Sequence, residues 1–388
     1  MKIAVINSGS SSIKFQLFEM PRGEVLAYVL IEKIGEFISD TTFKYQDKKL
    51  TVTSVVKDHH EGLEKIISLL NEYGIVKDFA SLDAIGHRVV HGGEEFHSAT
   101  LINEHVIQKI QELIPLAPLH NPANLEGILV SRKKAPLVPQ VAVFDTAFHF
   151  HMPKEAYLYA IDYELYEKNN IRRYGFHGSS HAYVLEETSK YLKKDASALN
   201  IITLHLGNGS SACAIKNGIS IDTSMGFTPL EGLMMGTRSG DIDPSIIFYM
   251  QKELGLSVDE VDTILNKKSG LIGICGKNDV RSILETEDEK AKLALTMMAR
   301  RIKKYIGAYM ALLGHVDAIV FTGGIGENAR DVRAMALEEM ACGIVIDKEK
   351  NRENETLISA KNSSVKLLVI KTDEELYIAR ESLSILHH

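Results

Sequence analysis

Residues Ile201–Thr223 read as strand, turn, strand, turn, strand, and they limit the architectures open to this chain more than any other stretch. An apolar run from Ile201 to Leu206 breaks at Gly207-Asn208-Gly209-Ser210-Ser211, resumes as an alternating segment, turns at Asn217-Gly218 and continues through Ile219 to Thr223. Asn-Gly between alternating segments signals a hairpin, because both central residues of the tight turn need positive φ. An antiparallel meander is predicted. The N-terminus repeats the pattern. Strand Ile3–Ile6 meets Asn7-Ser8-Gly9-Ser10-Ser11-Ser12, a second strand runs from Ile13 to Phe18, Pro21-Arg22-Gly23 turns, and Glu24–Leu30 follows. At an offset of 200 residues, Gly9-Ser10-Ser11 falls on Gly209-Ser210-Ser211. The shared order predicts an internal duplication, with two Gly/Ser turns facing one another across a cleft.

A length of 388 residues accommodates two ordinary domains. With 45% hydrophobic and 24% charged residues, the composition is that of a globular protein in water. A net charge of −7 leaves no footprint for nucleic acid or an anionic membrane, so neither is expected as a partner. No run approaches the length of a membrane span, and no signal peptide is expected. Cys213, Cys275 and Cys342 are far apart without a CxxC pair, which disfavours structural zinc and disulfides and suggests a reducing cytoplasm.

Between the two meanders, Leu63, Ile66, Ile67 and Leu70 recur at helical spacing within Asp58–Tyr73. A strand from Asp83 leads into His87-Arg88-Val89-Val90-His91-Gly92-Gly93. A helix is predicted over Asn103–Ile114, and Asn121 is expected to cap another that starts at Pro122. Strand Val141–Phe144 delivers Asp145 at its carboxyl end, where ligand-contacting groups collect in open α/β sheets. After Tyr174-Gly175-Phe176-His177-Gly178, Ser179 or Ser180 is expected to cap a helix. Ser257 and Glu260 form a capping box. A long helix from about Glu287 to Leu313 is predicted to turn Leu293, Met297, Ile302, Ile306, Tyr309 and Leu313 to one face. Asp317–Thr322 reads as a buried strand ending in a second glycine loop, Gly323–Asn328, before a helix. Strand Val365–Ile370 precedes Thr372-Asp373-Glu374-Glu375 and the C-terminal helix.

Small residues in the turns let backbone N–H groups approach phosphate closely. No GxxxxGK[ST] is present, which argues against a P-loop NTPase. Gly207-x-Gly209-x-x-Ala212 satisfies a dinucleotide-binding pattern, but an alternating strand follows it where that fold requires a helix, so a dinucleotide-dependent oxidoreductase is disfavoured. A non-catalytic nucleotide-binding regulator would keep the glycine loops without needing the charged residues near them. Arg88 and Arg238 lie in glycine-flanked segments beside apolar residues, where a guanidinium aimed into a cleft holds phosphate or carboxylate at two points. His120, His177 and His205 lie in loops or at a strand end and lack the spacing of a zinc site.

These segments together resemble the acetate and propionate kinase family. The resemblance is carried by NSGSSSIKF (7–15), GHRVVHGGEEF (86–96), PLAPLHNPANLEGI (115–128), VAVFDTAFH (141–149), RRYGFHGSSH (172–181), HLGNGSS (205–211), DTSMGFTPLEGLMMGTRSGDIDP (222–244), FTGGIGEN (321–328) and TDEELYIAR (372–380), in the family's order. It implies an α/β fold of duplicated ribonuclease-H-like (actin-like ATPase) domains, mixed sheets flanked by helices, with the active site in the interdomain cleft. The expected division is 1–147, joined by the C-terminal helix 373–388, as the acyl-substrate side, and 148–372 as the nucleotide-binding side. The implied reaction is reversible transfer of the γ-phosphoryl of ATP to acetate, with Mg²⁺ and with Mn²⁺ a tolerated substitute. Propionate or a broader range of short-chain acids is the alternative. By resemblance Asp145, Arg88, His177 and Arg238 are catalytic. Arg88, Val90, Leu119, His120 and Pro229 bind the acyl substrate, and Asn7 and Glu374 are associated with the metal. Lys14, His205, Leu206, Gly207, Asn208, Gly209, Asp279, Val280, Arg281, Gly323, Gly324, Ile325, Gly326 and Glu327 contact ATP. A homodimer is likewise implied. Asp373 stands where the family usually has asparagine, and the chain around Cys275–Val280 is shortened. A small carboxylic acid is already ionised at neutral pH, so Asp145 is expected to position magnesium or its water more than to act as a base.

Overall fold

Ile13, Phe15 and Leu17 point inward while Lys14 and Gln16 are half exposed, so the second strand of the chain has one buried face, as period-two alternation requires. The computed structural model describes residues 1–387, and the chain divides into two compact units. Unit 1 is Met1–Phe148 with the segment from Asp373, and unit 2 is His149–Thr372.

Unit 1 holds strands β1 (Lys2–Gly9), β2 (Ser12–Glu19), β3 (Glu24–Glu32), β4 (Ser39–Tyr45), β5 (Lys48–Ser54), β6 (Ala84–Val89), β7 (Thr100–Leu101) and β8 (Gln140–Phe144) in the order β5-β4-β3-β2-β1-β6-β8-β7. The first five form an antiparallel meander, and β6 and β8 extend it in parallel with β1. The β1 side chains alternate between two cores. Ala4 and Ile6 join Phe15, Leu17 and the helix His59–Glu72, with its Leu63, Ile66 and Leu70. Ile3 and Val5 face Ile378 and Ala379 of the helix Glu374–His387.

Unit 2 contains β9 (Ile201–Leu206), β10 (Ser210–Lys216), β11 (Ile219–Thr223), β12 (Ala318–Thr322) and β13 (Lys366–Val369), ordered β11-β10-β9-β12-β13. Here too a three-stranded antiparallel meander is continued by two parallel strands. β3-β2-β1-β6-β8 and β11-β10-β9-β12-β13 are therefore one topology used twice, as the repeated turn pattern predicts. The Gly-Ser-Ser triplets are not equivalent within it. Gly9 pairs with Ser12 around the two-residue turn Ser10-Ser11, whereas Leu206 pairs with Ser210 around Gly207–Gly209, so Ser210 and Ser211 already belong to a strand.

Three local expectations change. The helix Asn121–Lys134 begins one residue early, and Asn121, fully buried, bonds the chain near His91 in place of capping. The helix Gly178–Leu192 starts ahead of both serines, with His177 in the cap position. The helix Glu289–Leu313 buries Ala294, Leu295 and Met298 in its first half and leaves Leu293 and Met297 exposed. Its second half, from Ile302, follows the predicted face.

Candidate active site

In unit 1, the pairs Ile6↔His87 and Val89↔Phe144 set three parallel strand ends level with one another. Asn7, Arg88 and Asp145 thus reach the same carboxyl edge of the sheet, and the Asp145 N–H donates to the Val89 carbonyl at 2.9 Å. Arg88 grips Asp145 at two points. Its Nη2 donates to Oδ2 at 2.7 Å and its Nε to Oδ1 at 3.1 Å, with Glu374 Oε2 3.7 Å from Nε. Asp145 is 1% exposed. Burial works against the Arg88 charge, but Asp145 and Glu374 more than offset it and raise the guanidinium above its ordinary value. Burial pushes the Glu374 carboxyl up to about 7, a rise that Arg88 opposes and Asp145 increases. Lys14 Nζ donates to Glu375 Oε2 at 2.7 Å, so it is held to the same C-terminal helix.

Two buried amides shape the loop after β6. Asn124 accepts from the Val90 N–H at 3.0 Å and donates to the Ser8 carbonyl at 2.7 Å. Asn121 accepts from the His91 N–H and donates to the His91 carbonyl. Sequence reasoning reads Asn121 only as a cap and passes over Asn124. Their one signal is two asparagines three apart at a helix start, on one face of its first turn. Val90 is buried, Leu119 is 46% exposed, and His120 stands at the N-cap position.

In unit 2, His177 has φ +57°, a left-handed conformation unusual outside glycine, which here precedes the helix Gly178–Leu192. Its ring stacks on His205 at 4.2 Å, and its Nδ1 lies 2.9 Å from Ser211 Oγ. Gly209 accounts for its own side-chain loss. An added Cβ would lie 3.4 Å from His177 Nε2 and 3.6 Å from Arg238 Nη1, so the histidine, the arginine and the glycine turn converge. Among the described residues, Arg238 bonds the Pro229 carbonyl at 2.9 Å and approaches Met235 Sδ, and no carboxylate pairs with it. Burial lowers it from its ordinary value.

A cavity of about 660 Å³ opens beside this turn, within the range of small-molecule sites. Gly207, Asn208, Asp279, Val280, Arg281, Gly324 and Ile325 line it, which gathers three separate predicted segments. Asn278, Leu284, Asn328 and Ala329 complete the lining without having been singled out. The predicted glycine loop is itself a short helix, Gly323–Asn328. Gly323 has φ +74°, and a Cβ there would meet the Leu206 carbonyl oxygen at 2.8 Å. Glu327 turns away from the cavity. It accepts from the Gly323 and Thr372 N–H groups at 3.1 and 3.0 Å. Arg333, fully buried, donates to the Gly326 and Glu327 carbonyls and to Asn351 and Asn354, so it fixes the end of that short helix. The sequence marks it only as an arginine six residues beyond Glu327.

The profile of the acetokinase family matches residues 2–380. The chain belongs to the acetokinase family. It is 62% identical over 387 residues to the acetate kinase of Sulfurimonas denitrificans, covering 100% of both chains. Among solved structures, acetate kinase from Porphyromonas gingivalis is similar with a TM-score of 0.93 at 45% identity, and a propionate kinase from Francisella tularensis with 0.95 at 46%; each match covers 99% of both chains. In this acetokinase chain most acyl-side candidates (Arg88, Val90, Leu119, His120) belong to unit 1 and most ATP-side candidates to unit 2. Lys14 and Pro229 each belong to the other unit from their groups.

Proposed function

We propose that the chain catalyses reversible transfer of the γ-phosphoryl group of ATP to acetate, giving acetyl phosphate and ADP. Acetate is ionised at neutral pH, so its carboxylate oxygen attacks phosphorus directly, the bond to the ADP oxygen breaks, and no proton need be removed. The obstacle is repulsion between two anions. The observation that carries the reading is the convergence of Arg238 and His177 on Gly209: one guanidinium with no carboxylate partner among the described residues, beside a turn of backbone N–H groups. Fixed donors aimed at developing charge are the largest source of rate in such transfers. Arg88, held by Asp145, would receive the acetate carboxylate, and the cavity lined by Asn208, Asp279 and Ile325 would take the nucleoside.

Asn7, Asp145 and Glu374 offer only oxygen donors, the set that suits a hard cation, so they fit Mg²⁺. Asn7 and Glu374 would hold it and Asp145 would position it or its water; when bound, it neutralises phosphate charge. Mn²⁺ is accepted in its place on the same donor grounds. A cytoplasmic location and a homodimer complete the reading, supported by the family; no helix among the described residues is long and apolar enough to cross a membrane. The likeness to a propionate kinase favours a second reading, in which the longer acid is preferred. A coupled assay of ADP formation is expected to require both acetate and Mg²⁺. Propionate should be used more slowly and butyrate more slowly still, since a methylene changes discrimination by about 1–3 kcal/mol. ADP formation independent of acetate would overturn the proposal, and faster turnover of propionate would replace it with the second reading.

A further inference from the structure

Behind His177 lies a row of buried groups for which the reading above has no use. His177 Nδ1 is 2.9 Å from Ser211 Oγ, Ser211 Oγ is 2.8 Å from His181 Nε2, and His181 Nδ1 is 2.7 Å from Thr203 Oγ1. Ser211, His181 and Thr203 are all fully buried. Burial, with His149 and His205 nearby, holds His181 well below its ordinary value, so it is neutral and carries one N–H. Each hydroxyl also carries one hydrogen, which leaves two ways to order the row.

In one order, Thr203 donates to His181 Nδ1, His181 Nε2–H donates to Ser211, and Ser211 donates to His177 Nδ1. Every hydrogen is then used. The opposite order makes His181 donate to Thr203, whose hydroxyl hydrogen has no other acceptor among the described residues. A buried unsatisfied donor costs about 1–3 kcal/mol. The geometry points to the first order: Thr203, His181 and Ser211 are positioning residues that hold His177 with its proton on Nε2. That nitrogen is the one nearest Gly209. A neutral His177 therefore donates to the transferring phosphoryl without having to be protonated first. The groups facing its ring in unit 2 are His205 and Arg238, and His149 contacts His181 edge-on at 5.6 Å.

The inference rests on His177 contacting the phosphoryl, and two measurements separate the two claims. ¹⁵N chemical shifts of His177 in the native protein at pH 8 read the tautomer without reference to activity. An Nε2–H form is expected, and an Nδ1–H form or an imidazolium would overturn the inference. His177→Ala tests the underlying reading: an unchanged kcat would end that reading even with the tautomer as expected. In Ser211→Ala the hydroxyl that donates to Nδ1 is gone, and kcat should fall about tenfold at pH 8.5, the worth of one hydrogen bond, with KM for ATP and acetate little changed. Protonation restores Nε2–H whatever the tautomer, so the deficit should shrink to about threefold at pH 6, and Ser211→Thr should recover most of the rate. A deficit equal at both pH values, or none at all, would overturn the ordering. Thr203→Val should produce a smaller loss with the same pH trend.

Discussion

The two units build their candidate sites at the same end of the same topology, with opposite materials. Unit 1 uses charge: Arg88 is bound at two points by Asp145 and approached by Glu374, and Lys14 is bound by Glu375. Around His177 unit 2 uses neutral groups, and its exposed pair Asp279–Arg281 lies apart in the cavity lining. His177, Ser211, His181 and Thr203 form one row, and Ser180 Oγ joins His205 to Thr372. Arg238, beside the Gly209 turn, bonds a carbonyl and approaches a thioether, with no carboxylate partner among the described residues. A guanidinium already neutralised by a carboxylate has less charge to offer a ligand; one held by neutral neighbours keeps it. The charge of Arg88 is thus largely compensated within unit 1, whereas no carboxylate among the described residues compensates that of Arg238.

Arg238→Ala should break the contrast most visibly. Loss of a donor at developing charge costs about a hundred- to a thousandfold in kcat. The melting temperature should stay near the native value, since Arg238 has no ion pair to lose among the described residues. A large drop in melting temperature with near-native turnover would reverse the assignment.

Asp145→Asn should give the complementary result. Turnover should fall by about a hundredfold, and stability by about 2 kcal/mol, because Arg88 keeps Glu374 but loses its two-point partner. Denaturant unfolding of the two variants side by side checks it; equal stability would mean that the charged network is not what holds unit 1's site.

A smaller effect should be common to both units. Burial depresses His87 to about 4 and His91 to about 3 in unit 1, and His149 to about 4 in unit 2, with His181 lowered as well. These bases are neutral in the fold, while the unfolded chain takes up protons below about pH 6.5. Their contribution is therefore complete above pH 6.5 and is lost as pH falls toward 4, at up to about 1.4 kcal/mol per pH unit for each histidine. The urea midpoint should be lower at pH 5 than at pH 7.5, and an unchanged midpoint would contradict this account.

What the sequence discloses in advance depends on how far the deciding contact reaches. The capping box at Ser257 and Glu260 is local, and both of its bonds form. Asn103, predicted as the first residue of its helix, instead caps it, accepting from the Val106 N–H. The meander at Ile201–Thr223 follows from turn residues within a few positions. Asn121 and Asn124 act on the chain near His91, Val90 and Ser8, and no pattern inside their helix encodes those partners. Leu293 and Met297 fit the helical period as well as Leu295 and Met298 do, and only the elements packed against the helix choose between them. The Gly-Ser-Ser triplets match in letters, but loop lengths of two and three residues place them differently. Arg333 is the extreme case. Composition expects an arginine at the surface, and five hydrogen bonds to carbonyl oxygens take it fully inside.

The helix Glu374–His387 packs on β1, β6 and β8, although the whole of unit 2 separates it from them along the chain. A ribosome consequently releases every residue of the second unit before it releases the last piece of the first. Until then Ile3, Val5 and Val143 lack the cover of Ile378 and Ala379, and Arg88 and Lys14 lack Glu374 and Glu375. A nascent polypeptide stopped short of Asp373 could possess a finished cavity beside Gly207 and Asn208 and still have an unfinished carboxylate cluster. The order of synthesis thus withholds the last charges of the first unit until the second has been made.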